Sequence, residues 1–166
     1  MKKIFVLLVC LMFTWCWGSD IDNKGIEEYN NELMGIQEQA VESLRSYYEG
    51  LEKDYDGSNL ITMFTWTLDE LSLLKSKAEH VSWWKEDDSL KNAIVEYISW
   101  MKVAFSTYEW PVVEVLVDYT WQISHFYRDN KELFSQSAMK LAWELAVLDK
   151  TLEWEYTIFS EKYGYK

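Results

Sequence analysis

Beyond its first 18 residues the chain has no cysteine. Cys10 and Cys16 both lie in that opening stretch, so the folded part can form neither an internal disulfide nor a cysteine-based zinc site. Proline occurs once, at Pro111, and glycine six times, which leaves little of the punctuation that turn-rich β structure needs and favours long helices. Histidine is equally scarce. His80 and His125 are the only two, and neither has a Glu or Asp three residues before or after it, so the Glu-x-x-His pairs of di-iron bundles are missing. A Gly-rich phosphate loop, a Gly-x-Ser-x-Gly elbow and a His-Glu-x-x-His pair are also lacking. Paired carboxylates such as Asp87 with Asp88, or Glu153 with Glu155, point in different directions when helical, and acids gather at helix starts in any case. The expectation is a protein that is not an enzyme, with no metal and no cofactor.

Basic residues are the other deficit. Sixteen Lys and Arg stand against 28 Asp and Glu, a formal charge of −12. Without Lys2 and Lys3 the balance is 14 against 28, or −14. Such a field repels phosphate backbones and argues against nucleic-acid binding. It serves solubility and can steer a basic partner.

The chain opens with Met-Lys-Lys, continues through the apolar run Ile4 to Trp15 and turns polar at Ser19-Asp20. A basic start, an apolar stretch of about a dozen residues and an abrupt polar turn form a signal-peptide pattern, and the run is short of the roughly 20 residues a membrane span takes. Two processing routes fit. Cys16 could become the lipidated first residue of a lipoprotein, although that pattern wants a small residue where Trp15 stands; alternatively a peptidase could cut after Gly18. The expected organisation is a leader over residues 1–18 and one helical domain over 19–166. The protein would be exported, as an outer-membrane or cell-surface lipoprotein or else periplasmic or secreted.

What remains is plentiful apolar residue, 49% of the chain, arranged at helical spacing. Ile26, Tyr29, Leu33, Ile36, Ala40, Leu44, Tyr47 and Leu51 lie three and four apart, predicting a first helix over Gly25–Lys53. A second is predicted over Leu60–His80, with Ile61, Phe64, Leu68, Leu71, Leu74 and Ala78 inward. Asp87, Asp88 or Ser89 can cap a third, which runs to about Tyr108. In its stretch Ala93–Phe105 only Glu96, Ser99 and Lys102 are polar, and Ser106 and Glu109 continue that line, so this helix needs cover on several sides and would be the axis of a bundle. Pro111 suggests a break, with a further helical segment over Val112–Arg128. Asp129-Asn-Lys-Glu132 reads as a capping box for a last helix to about Lys162, with Phe134, Ala138, Leu141, Leu145, Leu148, Leu152, Tyr156 and Phe159 as its seam. The fold class is all-α, an up-and-down four-helix bundle with an extra shorter helix admitted after Pro111.

Aromatics make up 17% of the chain, with ten tryptophans. Trp110 and Trp121 are eleven apart, as are Trp143 and Trp154, which places each pair on one helical face. Large residues filling a wide bundle are the plain reading. The functional readings are a partner-binding face, or an interior lined by Trp100, Trp110, Trp121, Trp143 and Trp154 for a small apolar ligand. Trp83-Trp84 fall in a charged loop and are candidate contact residues, unless they fold back as a lid on the bundle end.

Tyr29-Asn30 with Gln37 or Gln39 downstream, the loop Trp84-Lys-Glu-Asp-Asp-Ser-Leu-Lys-Asn-Ala93 and the ending Phe159-Ser-Glu-Lys-Tyr-Gly164 together resemble small bacterial surface lipoproteins of the ErpY-like type. The resemblance covers most of the chain after the leader. It implies a lipidated, exported helical bundle without catalysis, with host plasma proteins as partners of some members, and it implies acylation of Cys16. Two functions are therefore expected in contention: a membrane-tethered protein that binds another macromolecule, and a diffusible carrier of an apolar ligand.

Overall fold

A computed structural model describes residues 23–53, 57–82, 87–118 and 131–164. Four helices account for nearly all of them: α1 (Asn23–Lys53), α2 (Gly57–His80), α3 (Ser89–Asp118) and α4 (Lys131–Tyr163). They pack as an up-and-down bundle in which α3 lies against α2 and α4 along their lengths and also touches α1. The described residues contain no strand.

Local chemistry sets the helix ends. The Asp87 carboxylate accepts the Ser89 amide at 3.0 Å, and the Asp88 carbonyl accepts the Asn92 amide at 2.7 Å, so α3 starts on two aspartates. At the far end of α4, Gly164 takes φ = 65°, the left-handed conformation that ends a helix and costs a residue without Cβ nothing. In α1, Gly50 leaves room for the tip of the Met63 side chain, which a Cβ there would displace.

The seams agree with the spacing in most places. On α1 every residue from Ile26 to Tyr47 in the expected series is buried, while the Leu51 side chain lies outside the description. On α2 the buried line is Leu60, Phe64, Thr67, Leu71, Leu74 and Ala78. Ile61, expected inward, is exposed, because it stands one residue, about 100°, off that line. Phe105 is the centre of an aromatic cluster, its ring 4.9 Å from Tyr47 and 5.2 Å from Phe64.

Two expectations for the third helix need correction. No break occurs at Pro111: α3 continues through it to Asp118. The ring is on the exposed face, where water can reach the carbonyl four residues back that it leaves without a donor. The expected extra helix after Pro111 therefore begins as the last turns of α3, and residues 119–130 lie outside the described residues. Secondly, the polar line does not stay on one face. Each three-residue step falls about 60° short of a full turn and the four-residue step from Lys102 to Ser106 returns only about 40°, so the line winds from exposed Glu96 through half-buried Ser99, Lys102 and Ser106 to buried Glu109.

Candidate interaction surface

All five tryptophans whose side chains are described stand outside the core. Their exposures are 53% for Trp66, 53% for Trp100, 48% for Trp110, 73% for Trp143 and 65% for Trp154. An average core tryptophan keeps little of its surface in water, so it is phenylalanine and tyrosine, not these tryptophans, that fill the bundle. The interior lining expected of Trp100, Trp110, Trp143 and Trp154 is likewise corrected. Trp100, Trp143 and Trp154 lie off the buried stripes of their helices, because leucine, isoleucine and tyrosine already occupy the inward positions, and Trp110 lays one side of its half-exposed ring 5.7 Å from that of Phe64.

The longest of these faces belongs to α4. Ser137, Leu141, Leu152 and Phe159 are buried on one side, with Leu145, Leu148 and Tyr156 packed partly against the core. Half a turn away, Met139, Trp143, Val147, Trp154 and Ile158 are all exposed. Beside this face a shallow surface groove of about 300 Å³ is lined by Tyr108, Gln136, Met139, Lys140, Trp143 and Glu144. The Tyr108 hydroxyl donates to Glu144 at 3.2 Å along its wall.

Polar side chains tie the other helices to α3. Lys102 donates to Ser72 of α2 at 2.6 Å, and Tyr97 donates to Asp149 of α4 at 2.7 Å. Burial raises the Asp149 carboxyl above its ordinary range, and the Tyr97 hydrogen bond opposes that only in part. Deeper in, Tyr48 of α1 and Ser137 of α4 both bond to Glu109. Burial pushes the Glu109 carboxyl up against the lowering effect of these hydroxyls.

At the opposite end of the bundle the three resemblance segments meet. The Tyr29 ring lies 6.1 Å from Phe159, and Phe159 lies 5.0 Å from Tyr163. Asp87 accepts from Lys162 at 2.5 Å and from the Tyr163 hydroxyl. Burial would raise the Asp87 carboxyl, but these bonds and the Ser89 amide outweigh it and hold the group well below the usual carboxylate range. The Tyr29 hydroxyl is pushed up to about 12, by burial first and then by the nearby Asp88. These contacts close the bundle end.

Cys16, Trp83, Trp84, Trp121 and His125 lie outside the described residues. His80 is exposed and its Nδ1 is 2.7 Å from the Ser76 carbonyl oxygen of its own helix. Among the described residues no three His, Cys, Asp or Glu side chains converge as a metal site, and no helix is long and apolar enough to cross a membrane. Spacing singled out Trp143 and Trp154 but missed that Met139, Val147 and Ile158 extend them into a continuous line. The missed signal was their spacing, steps of four, four, seven and four residues that keep them on one side, about half a turn from the leucine seam. Comparison with known protein families, characterised proteins and solved structures finds no match.

Proposed function

We propose that the protein is an exported helical bundle, tethered through lipid on Cys16, that acts by binding another macromolecule and carries out no chemistry of its own. The observation that carries this reading is the outward placement of every described tryptophan. Tryptophan offers a large, rigid contact area with one polar handle, and it is over-represented among the few residues that dominate binding energies. Scattered single apolar residues on a surface are ordinary, but exposed tryptophans on three of four helices are a large amount of water-facing apolar surface. The leader pattern and the lipoprotein resemblance support export and tethering, and Trp83 and Trp84 stay in the proposal on sequence grounds.

A carrier of an apolar ligand would draw on an enclosed cavity, whereas the groove beside Trp143 is shallow and lies on the surface. The interaction reading is therefore preferred.

The test replaces Trp66, Trp100 and Trp110 with serine in the tethered protein on its own cells, then offers fluid from its surroundings and identifies what is retained. The expected result is a protein retained by the natural chain and lost from the variant at unchanged helical content. Equal retention by both would end the proposal for these helices. The intact mass of the processed N-terminus checks the tether, since cleavage after Gly18 without acyl mass removes it.

A further inference from the structure

We infer that the exposed face of α4 is a self-association surface, on which a second copy of this chain packs antiparallel about a two-fold axis. The positions on the face carry this. Met139, Trp143, Val147, Trp154 and Ile158 are all exposed and lie on one side of a 33-residue helix. From Trp143 the steps through Val147 and Lys150 to Trp154 are four, three and four, the spacing of a coiled-coil seam.

The face is also self-complementary when reversed. A two-fold axis crossing α4 at the level of Leu148 and Asp149 sets Trp143 opposite Trp154 of the partner subunit. The same axis sets Met139 opposite the partner's Ile158, and Val147 opposite the partner's Lys150. An isologous interface requires a patch that matches itself under such a rotation.

Size and shape agree with that occupant. The face runs about 30 Å at 1.5 Å per residue. With 150–250 Å² for an aromatic side chain, its five apolar residues expose roughly 600 Å² per copy, so two copies would withdraw on the order of 1,200 Å², at the lower end of specific interfaces. The groove walled by Tyr108 and Glu144 adjoins Trp143 and Met139, and in this register it faces the side chains of Trp154 and Ile158 of the partner subunit, a hole for two knobs. Lys150 is the single charge on the seam, a device that fixes register and orientation in helical pairs. Since each copy carries a formal charge of −12, mutual repulsion opposes pairing, and added salt strengthens it. A negatively charged lipid surface is a poor alternative occupant for so acidic a chain. Pairing through α4 does not depend on what α2 and α3 bind.

The test is sedimentation of the full chain, with Cys10 and Cys16 changed to serine, in mild detergent over a concentration series. A reversible dimer is expected, tightening as salt is raised. The double variant Trp143→Glu and Trp154→Glu should weaken it roughly thirtyfold or more at unchanged helical content, since both side chains are surface residues. Register is read separately by a short thiol cross-linker. Mixed Trp143→Cys and Trp154→Cys chains should link to each other, and each variant alone should link poorly. A monomer at every concentration overturns the inference. So does a dimer indifferent to the double variant, or one in which Trp143→Cys links best to itself. Capture of a partner by the Trp66, Trp100 and Trp110 surface can succeed or fail without altering these results.

Discussion

The Tyr48 hydroxyl on α1 donates to Glu109 on α3 at 2.6 Å, at a point where Glu109 is 1% exposed. Ser137 of α4 lies 2.8 Å from the same carboxyl oxygen and 2.6 Å from the Tyr108 carbonyl oxygen. One serine hydroxyl hydrogen cannot fully serve two acceptors. That hydrogen is shared between the Glu109 carboxyl and the Tyr108 carbonyl, and burial raises the Glu109 carboxyl above its ordinary range. Three helices thus meet on one buried carboxyl group.

Glu109 therefore links stability to pH with a definite sign. Its folded-state value is raised above the ordinary 4.5, so its contribution is fully present below that value and is lost as pH rises through the raised one. Asp149 adds the same sign. Glu109→Gln keeps the shape and a hydrogen-bonding head but cannot ionise. Thermal unfolding of both proteins from pH 4 to pH 8 should give melting temperatures that diverge as pH rises, with the glutamine variant equal or more stable at the upper end. Glu109→Ala should cost about 1–3 kcal/mol, because it takes the acceptor from the half-buried Tyr48 hydroxyl, while Ser137 keeps the Tyr108 carbonyl.

Asp87 has the opposite sign. Its carboxyl is lowered below the ordinary 3.8 despite its burial, by bonds from Lys162, Tyr163 and the Ser89 amide, so what it contributes is present above that value and lost as pH falls through the lowered one. It joins the first turn of α3 to the last turn of α4. Removing the acceptor with Asp87→Ala should therefore loosen two helix ends distant in sequence. Amide hydrogen exchange should show protection falling about tenfold in the turns around Leu90 and Phe159 and holding steady around Phe105. Loss at only one of the two ends would show that the contact does not couple them. Lys162→Ala should do less, since its side chain is 58% exposed.

The sequence shows some of this and hides the rest for physical reasons. The seam of α1 is readable because only Met34, Val41 and Tyr48 are apolar beside it and the other flanking residues are polar or glycine, so spacing alone separates inside from outside. On α3 apolar residues occur on nearly all sides, and spacing cannot say which of them face water; Trp100 and Val103 do, while Ile94, Ile98 and Met101 do not. Glu109 reads as the end of a surface stripe, and only the winding of that stripe and the hydroxyls of Tyr48 and Ser137, 61 residues before and 28 after it, explain its burial. The α4 face was half legible. Trp143 and Trp154 attract notice as tryptophans, but a helix with leucines on one side and aromatics on the other looks apolar all round until the packing of α3 assigns the inner side.

Pro111 provides the sharpest test of continuity in α3. If the helix runs through it, as the structure has it, the ring removes one helical hydrogen bond and leaves the Thr107 carbonyl to water, a penalty of about 3 kcal/mol in a helix interior that exposure of the ring reduces. Pro111→Ala restores the donor at an exposed position without disturbing buried Val112 and Val113. Urea unfolding should then show a gain of about 1–2 kcal/mol at an unchanged slope. Were Pro111 instead the first residue of a separate helix, its fixed φ would help that helix start, and alanine would lower stability. The two arrangements thus give changes of opposite sign, and a loss on substitution would restore the break.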